Sequence, residues 1–245
     1  SADVAARVKK SLDVFDVNPE NTILTQSVCP DEINHEEGDI TDLFIKKFGG
    51  GKVFHLGGLA GIPFTGKTGF AAFSHHVPDG GHAFILQAPH IGISNDLKLG
   101  QYTRDGQTND GSACGAAVGA LGHCAAGKPC PNLANCGADY QMSYIINEVS
   151  KCMECIDESY VKSGNDENAR QAMLAKQTHR IGKEMLDSIV STDFGNEESM
   201  LFVLTGVQIN MPFDFEDFFE PISFEVRKKD GTVIDLFERT FGKKK

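Results

Sequence analysis

The run MLFVLTGVQI at 200–209 constrains this chain most. Its length, its near-continuous apolar character and its β-branched residues are those of a central strand buried on both faces. HAFILQAP at 82–89 has the same character and is closed by His90-Ile91-Gly92. Shorter strands are expected at TILTQSV (22–28), at KVFHLGG (52–58), which runs into a Gly-rich loop, and at GFAAFSH (69–75).

Helical patterns lie between them. Val4, Val8, Leu12 and Phe15 share one face of a helix over 2–16. A second, near 36–48, turns Ile40, Leu43, Phe44 and Phe48 inward. After a polar loop over 94–111, Ser112 is a plausible N-cap for a helix of small residues, ACGAAVGALGHCAAGK. Long helical patterns follow at 139–162 and 166–191. ISFEVRKKDGTVIDLFE at 222–238 reads as a hairpin with Asp230-Gly231 as its turn. Strands alternating with helices predict an α/β fold: a mostly parallel central sheet flanked by helices, with a C-terminal β-hairpin. No repeat, linker or composition shift divides the chain, so residues 1–245 are expected to form one domain.

Charge narrows the partners. The net charge of −11 argues against non-specific nucleic-acid binding, and the short KKK at 243–245 does not offset it. No run of about 18 apolar residues exists, so no membrane span is expected.

Two motifs suggest chemistry that their context opposes. G-I-P-F-T-G-K-T at 61–68 matches the phosphate-binding loop letter for letter, with Lys67 as the phosphate ligand. That loop must open into a helix. Here Gly69 follows at once, and Pro78-Asp79-Gly80-Gly81 leaves room for about two helical turns. The following strand also lacks an Asp for magnesium. The expected role is a Gly-rich turn packed closely on something else. Cys152-Met-Glu-Cys155 falls within a helical pattern, where Ile145, Val149, Cys152 and Ile156 share a face, so Cys152 reads as core. Cys124, Cys130 and Cys136, even with Cys152, lack the spacing of paired zinc knuckles.

Seven Cys in a chain too large to need a disulfide scaffold are packing residues, metal ligands or nucleophiles. Three candidates fit together. Cys29 and His90 each end a strand, and Cys114 opens a helix, whose dipole favours thiolate. In a parallel sheet these positions meet on one edge. A Cys₂His set with a fourth position open is the pattern of a catalytic zinc site, though each of the three also reads as ordinary packing.

VCPDEIN (28–34), HLGGLAGIPFTGKTGF (55–70), APHIGIS (88–94) and GSACGAA (111–117) resemble the limiting-carbon-dioxide-inducible B (LCIB) family of algae and diatoms. The resemblance extends over nearly the whole chain. It implies a β-carbonic-anhydrase-like fold and zinc-dependent interconversion of carbon dioxide and bicarbonate in a carbon-concentrating pathway. It also implies a homodimer and a chloroplast location. Cys29, His90 and Cys114 would hold Zn2+, with Asp31 the carboxylate beside them. β-Carbonic anhydrases usually carry an Arg two residues past that Asp, and here Ile33 stands there. Of the six Arg, Arg104 alone lies in the loop between His90 and Cys114, so it is the chosen partner; the alternative is a solvated loop Arg. Asp31 would orient a zinc-acidified water, and Arg104 would keep Asp31 off the metal. Leu59, Phe64 and Phe70 are candidates to wall a dry substrate pocket, and His55 or His82 to pass a proton outward. A rival of another class is a catalytically silent zinc-containing bicarbonate binder or scaffold of the same family.

Overall fold

Alternation along the strands decides which helices cover which face of the sheet. The computed structural model describes residues 1–212 and 215–243; Lys244 and Lys245 of the basic tail lie outside them. In chain order the elements are α1 (Ala2–Leu12), β1 (Thr22–Val28), α2 (Ile40–Phe48), β2 (Phe54–His55), α3 (Gly66–Ser74), β3 (His82–Ala88) and β4 (His90–Gly92). A small hairpin, β5 (Gln101–Tyr102) and β6 (Gly111–Ser112), leads to α4 (Gly115–Ala125), α5 (Tyr140–Ser150), α6 (Met153–Lys162) and α7 (Glu167–Ile189). The chain continues through β7 (Met200–Asn210), β8 (Phe218–Lys228), β9 (Val233–Asp235) and α8 (Phe237–Phe241).

The strand order is β2-β1-β3-β7-β8-β9, and β4 also pairs with β7. Strands β2, β1, β3, β4 and β7 are mutually parallel where they pair, whereas β8 and β9 run antiparallel at the far side. This is the expected mostly parallel sheet with a C-terminal hairpin. β7 is buried along almost its whole length, which is why its sequence has no polar stripe.

Successive side chains of a strand point to opposite faces. Phe84, Leu86 and Ala88 of β3 therefore join α1, α2 and α8, with Phe44 and Phe48 set edge-on or tilted against Phe84 at 5.4 and 5.1 Å. Ala83 and Ile85 face the other way, toward Phe70 and Phe73 of α3 and Leu186 and Ile189 of α7. Another cluster surrounds the carboxyl end of β1. There Ala117, Ala120 and Leu121 of α4 meet Ile145 and Val149 of α5 beside Cys29 and Cys114. The small residues of α4 let α5 approach closely; a Cβ on Gly119 would stand 3.3 Å from the Met142 methyl.

Several boundaries differ from expectation. GFAAFSH is helical, not a strand: it forms most of α3, and Phe70 and Phe73, three apart, bury on one helical face. Only Phe54 and His55 of 52–58 pair as a strand, and the glycines that follow leave the sheet. The second helix begins at Ile40 rather than near 36. Residues 139–162 form two helices, with Lys151 and Cys152 at the break, so the C-x-x-C pair lies at the start of α6 rather than inside a helix. Ser112 belongs to β6, and Cys114 is the N-cap of α4. Among the described residues, no helix is long and apolar enough to cross a membrane.

Candidate metal centre

Pro89 sets the geometry of the site. It has no backbone N–H to continue the ladder, so β3 stops at Ala88. Its carbonyl accepts from the Gln208 N–H at 3.0 Å, and the chain resumes pairing at His90 opposite Gln208 of β7. His90 thus opens a new short strand rather than ending the old one. Cys29 immediately follows β1, the parallel neighbour of β3. The hairpin β5–β6 folds 93–112 back so that the Gly92 N–H donates to the Ala113 carbonyl at 2.9 Å. A Cβ at Gly92 would stand 2.8 Å from the Ala113 Cβ, so only glycine permits this approach. Cys114 is thereby delivered to the same edge.

The ligand atoms of Cys29, His90 and Cys114 all lie within 4.8 Å of one another, and all three residues are buried. The two Sγ atoms are 3.9 Å apart. Hydrogen bonding to Cys114 lowers the Cys29 thiol to about 4, with His90 assisting against burial. The same contact and burial push Cys114 up. The two sulfurs are close enough that losing a proton from one hinders losing it from the other, and either can be the donor. His90 Nε2 is buried and makes no hydrogen bond. A buried polar atom without a partner is costly. Two soft sulfur donors and this bare nitrogen are a donor set that fits Zn2+.

Asp31 caps a short 3-10 turn, Glu32–Asn34, and its Oδ2 stands 3.8 Å from His90 Nε2. Arg104 lies between β5 and β6. Its Nη2 donates to both Asp31 oxygens, at 2.9 and 3.0 Å, and its Nε donates to Glu32 Oε1 at 2.8 Å. Burial raises the Asp31 carboxyl from its ordinary value, opposed by the Arg104 hydrogen bonds. Exposed Glu32, on the same guanidinium, is held down at about 2.

The other candidates divide. Leu59 and Phe64 pack in the cluster that contains Cys29 and Cys114, and the Leu59 N–H is fixed by Gln141 Oε1 at 2.9 Å. Phe70 does not join them; it lies with Phe73, Ile85 and Leu186 in another cluster, because α3 turns it toward α7. His55 is paired with Gln26 near the carboxyl end of β1. His82 opens β3, about 20 Å of strand from Ala88 at ~3.3 Å per residue, and its ring is edge-on to Phe202. It sits at the wrong end of the sheet to pass a proton from the site. His35, which closes the 3-10 turn Glu32–Asn34, sets its Nε2 3.2 Å from the Cys29 carbonyl.

The Gly-rich segment 61–68 closes over the strand ends. The Gly61 carbonyl accepts from Ser27 Oγ at 3.0 Å and from Gln87 Nε2 at 3.4 Å. Contrary to expectation, a nine-residue helix, α3, does follow this loop. The loop is nevertheless occupied by protein contacts, and Lys67 points into solvent.

Sequence reasoning passed over Asn210 and Glu32. Asn210 Oδ1 lies 2.8 Å from His90 Nδ1. The available signal was a polar residue ending an apolar run, GVQIN. Glu32 was adjacent to a chosen residue, but nothing local tied it to Arg104.

A mostly parallel sheet flanked by helices, with Cys, His and Cys gathered at its strand ends where they could hold a metal, defines a β-carbonic-anhydrase-type fold. The chain belongs to the family of limiting CO2-inducible proteins B/C beta carbonic anhydrases, whose family model matches residues 1–228. It is similar to the crystal structure of PtLCIB4, a homolog of the limiting CO2-inducible protein LCIB. The identity is 28%, the match covers 96% of this chain and 92% of that one, and the TM-score is 0.80. A mutant of PtLCIB4 matches with 28% identity, 94% and 89% coverage and a TM-score of 0.81. LCIB itself, at 20% identity, 96% and 91% coverage and a TM-score of 0.63, shares the fold. Comparison with curated proteins gives no match.

Proposed function

We propose that the chain is a zinc-dependent carbonic anhydrase that interconverts carbon dioxide and bicarbonate. The observation that carries this is the bare, buried His90 Nε2 facing two thiols, with Asp31 alongside and held by Arg104. Cys29, His90 and Cys114 would hold the ion. Zinc, when bound, supplies a water acidified to a pKa of about 7 as nucleophile.

The chain's own residues do the rest. Asp31 would accept a hydrogen bond from that nucleophile and so orient it toward carbon dioxide. Arg104 donates to both Asp31 oxygens and would so hold the carboxylate back from a bound ion. Leu59 and Phe64 give the apolar substrate a dry wall and need make no hydrogen bond to it. His55, near the carboxyl end of β1, is the candidate that remains to pass a proton outward. The silent alternative requires Asp31 on the metal, and the Asp31–Arg104 pair opposes that.

The homodimer and the chloroplast location rest on the family resemblance. Light scattering of the purified protein checks the first, and a fluorescent fusion of the complete gene product checks the second.

Metal analysis followed by stopped-flow hydration of carbon dioxide tests the enzyme. About one zinc per chain and hydration above the buffer rate are expected. Folded protein that takes up no zinc would overturn the reading.

A further inference from the structure

Asn210 is the last residue of β7, paired with Gly92 two positions beyond His90, and it is fully buried. Its side-chain nitrogen faces three oxygens: Asp217 Oδ2 at 2.7 Å, the Ile33 carbonyl at 2.8 Å and Asn34 Oδ1 at 3.3 Å. Reversing the amide would set its oxygen against all three. The NH2 group therefore faces them, and Oδ1 faces His90 Nδ1 at 2.8 Å. An amide oxygen only accepts, so Nδ1 must carry a proton.

Asp217 makes this orientation firm. Its Oδ1 accepts from the Met211 N–H at 2.7 Å while its Oδ2 takes the Asn210 amide. Asp217, directly before β8, thus ties down the end of β7. The backbone holds Asn210 from the other side, since the Ile93 N–H donates to its carbonyl at 2.9 Å.

We infer that Asn210, oriented by Asp217, is a positioning residue that keeps the His90 proton on Nδ1 and the imidazole ring turned with Nε2 toward Cys29 and Cys114. The order is carboxylate, amide, imidazole, with an Asn placed where metal-binding His residues commonly have a carboxylate or carbonyl directly. The arrangement exists before any metal arrives. Its consequence for affinity rests on the zinc reading above; the proton position does not.

The test uses the full chain with ¹⁵N-labelled histidine. Long-range ¹⁵N–¹H correlation reads which His90 nitrogen is protonated, and competition with a chromophoric chelator reads zinc affinity. In the parent protein Nδ1 is protonated both with and without zinc. In metal-free Asn210→Leu the proton redistributes toward Nε2, and the zinc Kd rises about 10–100-fold. Asp217→Ala removes one of the three acceptors and leaves the Ile33 carbonyl and Asn34 Oδ1, so it loosens the amide and moves both readouts in the same direction by less. If Asn210→Leu does not fold, Asp217→Ala decides.

A bare Nδ1 in the metal-free parent overturns the inference. So do variants that fold and keep both the parent spectrum and the parent Kd. A parent with protonated Nδ1 that takes up no zinc supports the proton assignment and sinks the zinc centre instead, so the two failures are distinct.

Discussion

Arg104 Nη2 bridges both carboxylate oxygens of Asp31, at 2.9 and 3.0 Å, across 73 residues of sequence. The same guanidinium binds Glu32 through Nε, so one loop residue holds two neighbouring carboxylates in fixed positions. The pair is partly buried, and its worth lies in geometry more than in stability.

Asp31→Ala is expected to keep zinc and lose hydration activity by about 10²-fold or more. Arg104→Ala should act through the same unit by freeing Asp31 to reach the metal. The double variant is then no worse than either single one, because residues that act together are non-additive. Stopped-flow rates on zinc-loaded proteins measure this. Parent rates in Arg104→Ala would remove Arg104 from the mechanism.

Cys114→Ser should lose the metal, whereas Cys152→Ser should retain it. Cys152 is also buried, but it receives Arg180 Nη2 at 3.0 Å and donates to the Glu148 carbonyl at 3.3 Å. A guanidinium against the sulfur disfavours a cation there. Zinc content after exhaustive dialysis separates the two, and equal losses would contradict the assignment of the centre.

The phosphate-loop look-alike should bind no nucleotide, and Lys67→Ala should change nothing in calorimetry with ATP and magnesium. Micromolar binding by the parent would reverse this. Gly61 matters for another reason. Its φ is +68°, and a Cβ there would lie 2.2 Å from the Ala88 carbonyl oxygen. Gly61→Ala is therefore expected to cost at least about 2 kcal/mol in urea denaturation.

Two buried groups tilt acid stability in opposite directions. Burial, with Asp217 nearby, raises Asp39 to about 7, and burial with Lys183 nearby lowers His179 to about 4. Folded Asp39 keeps its proton where the unfolded chain releases it. Its favourable contribution is present below about pH 4 and is lost as pH rises toward 7. His179 is the reverse: the unfolded chain gains a proton below about pH 6.5 that the folded chain refuses. Its contribution is present above that pH and is lost as pH falls toward 4. At about 1.4 kcal/mol per pH unit, each amounts to a few kcal/mol, and the two oppose each other over much of the same range. Asp39→Asn keeps an acceptor for the Glu36 N–H and Gln208 Nε2, so it should stabilise the protein more at pH 7.5 than at pH 4.5. His179→Gln should remove the acid loss and leave stability rising as pH falls. Urea midpoints at the two pH values measure both, and equal gains of Asp39→Asn at each pH would refute the first.

Much of the fold was legible because its signals are local. β1 spans Thr22–Val28 as the sequence pattern predicts, and β7 needed only its apolar run. The Asp230-Gly231 turn marks a hairpin at any position in a chain. Boundaries slipped where local signals are ambiguous. GFAAFSH fits either period, and its helix is decided by what Phe70 and Phe73 must bury against. The break at Lys151–Cys152 carries no proline or glycine to announce it.

The site divides in the same way. Cys29, His90 and Cys114 were nameable from sequence because each stands at the end or start of an element, and elements of a parallel sheet bring such ends together. Arg104 was found by elimination, and its contact with Asp31 depends on the fold of the β5–β6 hairpin. Asn210, 120 residues from His90, was not nameable: only the pairing of β4 with β7 sets it against the imidazole. Sequence by itself determined periodicity, turns and the residue types offered to the site, since these depend on neighbours a few residues apart. Tertiary structure decided which of those residues touch, because strand register and the close approach at Gly92 are set by packing among segments distant in the chain.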